Sequence, residues 1–323
     1  MERVHTKEML PLLDSRHMRN FILALLIFIP SLALAQQSPL YTQYMLNDFV
    51  INPAIAGSKP FFPLRLNARE QWEGLGSFAP STQSLSFHAP VGDGRVGVGG
   101  LIFQDNTHPT SNMGAMFTYA YHMNLPAIES KISLGISGVI YQYKLDQTAM
   151  EFYNPDMNFE GGVYSETVPD AAFGTYLYGQ NYYVGLSVYQ LFESTFREAL
   201  TFDYGDNIGV RHYFGMAGYT AEINKRLHLE PSILLKTIDA GPMQLDINTR
   251  VIFNRKFWTG ISLRTDRSVV ALMGMNVGNF HLAYGFDYTL ASIANHTAGS
   301  HEISIGVNIP DPRSRRHVYY WRY

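Results

Sequence analysis

The chain of 323 residues contains no cysteine. That excludes disulfides, thiolate metal sites, a catalytic thiol and a lipidated N-terminal cysteine. Charge is also scarce. Asp, Glu, Lys and Arg make up 16% of the residues, against roughly 25% in ordinary soluble domains. The 24 basic and 27 acidic residues give a formal net charge of -3, so no basic excess favours nucleic acid. Tryptophan is rare, with 3 residues, but there are 21 Tyr, 20 Phe and 27 Gly. No stretch beyond the N-terminal region reaches the roughly 18 apolar residues that mark a membrane helix. This composition suits a protein whose surface meets an apolar medium while its backbone stays extended.

The N-terminal region reads as an export signal. Arg16, His17 and Arg19 precede the apolar run Phe21 to Ile29, and Ala33-Leu34-Ala35 supplies an A-x-A site before Gln36. A basic segment, a short apolar core and small residues at the cut are the three parts of a secretory signal peptide. Cleavage is expected after Ala35, which makes residues 1–35 the signal. Residues 1–17 are long and polar for such a leader, so Met18 is a candidate true start.

From about residue 64 onward the chain alternates with period two. Leu245, Ile247, Thr249, Val251 and Phe253 interleave with Gln244, Asp246, Asn248 and Arg250. Ile303, Ile305, Val307 and Ile309 interleave with Glu302, Ser304, Gly306 and Asn308. In a strand, such alternation sends one set to each face. Fourteen segments follow the pattern, near 64–70, 82–89, 95–104, 113–124, 130–144, 170–179, 181–190, 208–220, 227–237, 243–253, 257–265, 268–277, 279–290 and 301–309. Many run to about ten residues, which at the usual tilt spans the roughly 25 Å apolar band of an outer-membrane barrel.

Short links alternate with longer ones. Residues 71–81, 105–112, 145–169, 191–207 and 291–300 are the long odd links, and the odd links near 239–242 and 266–267 break the trend. Short periplasmic turns and long external loops characterise outer-membrane barrels. A soluble β-sandwich or propeller also alternates, but buries its apolar faces and carries a more charged surface. An even strand number, link parity, an export signal and low charge together predict an all-β, 14-stranded antiparallel outer-membrane β-barrel. Residues 64–309 would form the barrel, both of whose termini would be periplasmic. Residues 310–323 would form a periplasmic tail. Tyr119, Tyr121, Tyr284 and Tyr288 would face outward near the interfaces. Arg65, Arg69, Glu230, Lys236, Asp246, Arg250, Arg264 and Glu302 would face a salt-bridged lumen.

Residues 36–63 do not alternate. Asn52-Pro53 favours a turn and Gly57 permits a positive φ, so this pre-strand segment is expected to sit inside the barrel or cover its periplasmic mouth. The local motifs carry no chemistry. Gly92-Asp93-Gly94-Arg95-Val96-Gly97 matches a dinucleotide fingerprint in letters, but a strand follows where a helix is required. His296 and His301 lack a metal-binding pattern, and Asp203 to Asn207 lacks the ligands of a calcium loop. No catalytic, cofactor or metal residues are assigned.

Beyond these readings, spaced motifs carry a family resemblance. They are Tyr41-Thr42-Gln43-Tyr44-Met45, Asn52-Pro53-Ala54, Ala56-Gly57, Arg69-Glu70-Gln71-Trp72-Glu73-Gly74, Pro80 and Thr82 to Pro90, including His88. Gly99, Asp105 and Pro109-Thr110 continue the series, and His301 to Gly306 suits a final strand. The chain resembles the PorP/SprF family of Bacteroidota. That resemblance implies a non-enzymatic outer-membrane barrel of the type IX secretion and gliding machinery. Among its members, some work with a periplasmic ring and a peptidoglycan-binding lipoprotein. Others hold the C-terminal domain of one large secreted adhesin at the cell surface. The family motif, Tyr41, Gln43, Tyr44, Asn52, Pro53, Gly57, Arg69, Trp72, Gly74, Pro80, Thr82, His88 and Pro90, is then structural or partner-binding. The N-terminal segment and periplasmic turns are expected to meet the machinery. Phe152, Tyr153, Met157, Phe159 and Tyr164 are candidate contacts of an external loop with a surface partner. A transport channel for a small ligand is the alternative, with an outer-membrane enzyme behind it.

Overall fold

The computed structural model describes residues 41–149, 162–193, 195–196, 207–208, 210–239 and 241–312. Residues 1–35, expected to be an export signal, and the residues from 313 onward, expected to be a tail, lie outside them. Fourteen wall strands follow in order: β1 (Phe61–Glu70), β2 (Ser81–Val91), β3 (Val96–Thr107), β4 (Thr110–Leu125), β5 (Ser130–Asp146), β6 (Val163–Tyr178) and β7 (Tyr182–Tyr189). Then come β8 (His212–Tyr219, continued by Ala221–Asn224), β9 (Leu227–Ile238), β10 (Gln244–Phe253), β11 (Phe257–Arg264), β12 (Ser268–Val277), β13 (Phe280–Thr289) and β14 (Ser300–Pro310). A two-residue ladder between Thr195–Phe196 and Asn207–Ile208 is a separate sheet.

Each wall strand pairs antiparallel with its sequence neighbour, and β1 pairs with β14 to close the ring. β8 bridges the two halves, pairing with β7 on one side and β9 on the other. Closure leaves no sheet edge to satisfy inside lipid. No helix among the described residues is long and apolar enough to cross a membrane.

The burial pattern is inverted relative to a soluble protein. Phe117 is 67% exposed, Leu186 62% and Ile102 56%, whereas Arg250 and Glu302 are each 1% exposed. Water would penalise such a surface, since large apolar patches on soluble proteins are small and special. A membrane accepts it, and the soluble-sandwich alternative falls here. Tyr119, Tyr121 and Tyr288 are exposed as expected. Tyr284 shares that outward face but lies mid-strand and half-buried, with its hydroxyl 2.6 Å from His301 Nδ1.

Three links differ from expectation. The seventh grows from 191–207 to 190–211, because β8 starts only at His212. The third shrinks to a hairpin at His108-Pro109, because Asp105, Asn106 and Thr107 continue the ladder with β4 despite their polarity. The fifth shrinks to residues 147–162, because β6 already begins at Val163 and pairs with β5 up to Asp146. Pro169 lies within the strand, facing outward opposite Ile140.

Candidate functional site

The inward faces of the strands surround residues 41–60, and nearly all of that segment is buried. Its shape follows from its sequence. The Asn52 side chain accepts from Ala54 N at 2.9 Å, and Pro53 opens a single 3-10 turn with its fixed φ. Gly57 then adopts φ +75°, a conformation glycine reaches without strain.

The wall supplies what the irregular backbone lacks. A buried carbonyl without a partner is costly, and side chains from around the ring meet these ones. Tyr189 donates to Val50 O at 3.1 Å and Ser187 to Ile51 O at 2.5 Å. Ser133 donates to Ala54 O at 2.6 Å, and His122 Nε2 lies 2.8 Å from Ala56 O. Gly57 N donates to His88 Nδ1 at 3.1 Å. On the opposite wall, Glu302 accepts from the backbone N–H groups of Thr42 (2.7 Å) and Gln43 (3.1 Å). Arg69 donates to the Thr42 hydroxyl. The Tyr44 hydroxyl lies 3.3 Å from Ser232 Oγ.

Glycines on the wall admit the segment. A Cβ on Gly97 would fall 1.9 Å from Ala56 O, and one on Gly135 would fall 2.4 Å from Ala54 N. Gly174 and Gly185 make the same room for Asn52, which donates to the carbonyls of Thr175 (2.9 Å) and Leu186 (3.4 Å).

The segment runs lengthwise. Thr42 lies beside Arg69 and Glu302, near the strand ends that carry the longer links. Gly57 lies beside Gly97 and Pro90, near the short turns. Residues 41–57 therefore cross the lumen rather than cap its mouth. Above them, at the long-link end, remains a cavity of about 90 Å³ lined by Tyr41, Tyr141, Tyr189, Phe103 and Phe214 among others. It is smaller than the roughly 150 Å³ void that admits benzene.

One side of the lumen is ionic. Arg69 pairs with Asp287 (2.9 Å) and Glu302 (3.4 Å), and Arg264 with Asp287 (2.9 Å) and Asp246 (3.3 Å). Lys236 approaches Asp246 at 3.9 Å, and Arg250 pairs with Glu230 at 2.8 Å. Arg65 is buried and donates to Asn308. The eight residues expected in a salt-bridged lumen do face it.

The motif residues gather around this segment. Tyr41, Gln43, Tyr44, Asn52, Pro53 and Gly57 belong to it, and Arg69 and His88 bond to it. Pro90 lies against Gly57, while Thr82 bonds to Asp105 on the neighbouring strand. Trp72, Gly74 and Pro80 stand apart in the link 71–80. There Glu73 exchanges backbone bonds of 2.8 Å with Gly299 and Ala298, stitching the first and last long links together. The seat residues Gly135, Ser133 and Ser187 had no sequence signal, because small residues are also ordinary in strands, and Gly97 stood out only as the last glycine of the fingerprint match. Of the candidate loop contacts, Phe152, Tyr153, Met157 and Phe159 lie outside the described residues. Tyr164 is not a loop residue: it sits in β6 opposite Leu145, half-buried against the interior cluster. His301 is engaged by Glu73 (2.9 Å) and Tyr284, and Gly92 to Arg95 forms the turn between β2 and β3.

A family model described as "Type IX secretion system membrane protein PorP/SprF" matches residues 33–307. Comparison with curated proteins finds no match. Among solved structures, the chain is similar to a FadL homologue of Pseudomonas aeruginosa, with 11% identity, 84% of this chain and 95% of that one covered, and TM-score 0.46. It is also similar to Omp33 of Acinetobacter baumannii (8% identity, 78% and 100% covered, TM-score 0.43). CdiB from Acinetobacter baumannii matches at 9% identity, 76% of this chain and TM-score 0.43, and the chain spans only 60% of its length.

Proposed function

Because the chain belongs to the PorP/SprF family of type IX secretion system membrane proteins, we propose that this outer-membrane barrel is a non-enzymatic anchor of that machinery. It acts through protein–protein contacts at its two rims. One observation carries the reading: the lumen is filled by the chain's own residues 41–60, whose carbonyls and N–H groups are bonded to the wall. The outer wall is committed to lipid, and the interior to its own chain. That leaves the rims for partners.

Short turns face the periplasm in outer-membrane barrels, so the turn end would meet a periplasmic ring or a peptidoglycan-binding lipoprotein. The long links 71–80, 147–162, 190–211 and 290–299 would meet a secreted adhesin, through its C-terminal domain. Since residues 41–57 are taken up inside the lumen, the turns and the end of β14 carry the periplasmic contact in this reading.

Affinity purification from gently solubilised native membranes, with mass spectrometry of the recovered proteins, tests it. A periplasmic lipoprotein or ring protein places the chain in the secretion core. One very large secreted protein makes it a dedicated surface anchor. Recovery of the barrel alone, from detergent that preserves other envelope complexes, favours a ligand channel instead. Deleting 147–162 should leave the barrel folded and weaken recovery of a surface partner; unchanged recovery removes that loop from the interface.

A further inference from the structure

Six short turns close one end of the barrel, and their charge is unevenly distributed. In the turn 92–95, Asp93 and Arg95 neutralise each other at 3.0 Å. The turns 126–129, 179–181 and 278–279 contain no basic residue. The remaining two, 225–226 and 254–256, contain Lys225, Arg226, Arg255 and Lys256.

These two turns are adjacent. Leu227 pairs with Phe253, and Asn254 N donates to Arg226 O at 2.6 Å, so the ladder holds them side by side. Lys225, Arg226 and Lys256 are exposed. Among the described residues, none of these three takes part in a salt bridge. Asn254 and Arg255 both adopt positive φ, as the central residues of a type I′ turn require.

Depth is fixed by the neighbours. Phe253 and Phe257 immediately flank the second turn on the lipid-facing side, and Ile223, also exposed, lies just before the first. Cationic side chains next to lipid-facing rings sit at headgroup level, where Lys and Arg extend toward phosphates.

We propose that the corner formed by residues 225–226 and 254–256 binds the phosphate headgroup of an anionic phospholipid in the leaflet at the turn end. It would fix the barrel's height and surround it with acidic lipid on one side. Each basic residue near an anionic surface contributes about a severalfold gain in binding, so the three exposed ones predict at least about a tenfold preference.

The test uses the full chain in detergent micelles doped with cardiolipin or with phosphatidylethanolamine, read by native mass spectrometry. The expected result is preferential retention of cardiolipin. Combined substitution of Lys225→Gln, Arg226→Gln, Arg255→Asn and Lys256→Gln should remove that preference while heat-modifiable electrophoretic mobility shows a folded barrel. Asn at 255 tolerates the positive φ. Equal retention of both lipids by the unsubstituted chain overturns the proposal, as does full preference in the folded variant. Loss of an acidic protein from a native-membrane purification, with lipid retention unchanged, also overturns it and assigns the corner to that protein.

Discussion

Gly97→Ala should unseat the lumen segment. The added Cβ would fall 1.9 Å from Ala56 O, 2.5 Å from its carbonyl carbon and 2.9 Å from Gly57 Cα. All three are backbone atoms, so no side chain can rotate away, and the gap must open by about an ångström or more. Two responses compete. If the segment stays, local overpacking costs roughly 1–3 kcal/mol. If it lifts, it loses the bonds at Ala54 O, Ala56 O and Gly57 N, which at about 0.5–1.5 kcal/mol each amount to a comparable loss. Either route predicts a stability decrease of roughly 1–4 kcal/mol in urea unfolding of the refolded barrel. Lifting also exposes Tyr44 and Phe49 to chymotrypsin. Gly138→Ala is the control, since nothing lies within 4 Å of its Cβ position. A Gly97→Ala barrel as stable and as protease-resistant as the Gly138→Ala barrel would refute the seat.

Glu302→Gln should cost about 1–3 kcal/mol in the same urea titration, because its amide turns an N–H toward Thr42 N or Gln43 N and leaves one buried donor unpaired; an unchanged midpoint contradicts this. Asn52→Ala removes a turn cap and two bonds to wall carbonyls, with an expected loss of roughly 1–3 kcal/mol and earlier cleavage of the segment. Phe117→Arg, on the lipid face in the middle of β4, should cost about 2–4 kcal/mol when the barrel is folded into vesicles. A negligible cost there would place that face away from the membrane centre.

The strands were legible because alternation in a barrel wall is enforced on both sides. Ile303 and Ile305 must face lipid, and Glu302 and Ser304 must face the lumen, so the period survives nearly unbroken. Strand ends were harder to read. Beyond the apolar band, β3 at Asp105–Thr107 and β6 at Val163–Val168 keep their ladders while losing their hydrophobic signature. The site was half legible. Asn52-Pro53 and Gly57 announce a turn in any context. Their partners Ser133, Ser187 and His122 are simply polar residues in strands, and only three-dimensional closure brings them to the carbonyls they satisfy. The direction of the segment, from the long-link end to the turn end, depends on which wall residues it meets and leaves no trace in local sequence.

Planar-bilayer conductance tests the central claim most directly, with the mature chain compared against the same barrel lacking residues 41–57. A lumen filled by its own bonded segment predicts no steady conductance from the mature chain and open-channel steps from the deletion. Stable ion conduction by the mature chain would contradict the account and make the barrel a channel.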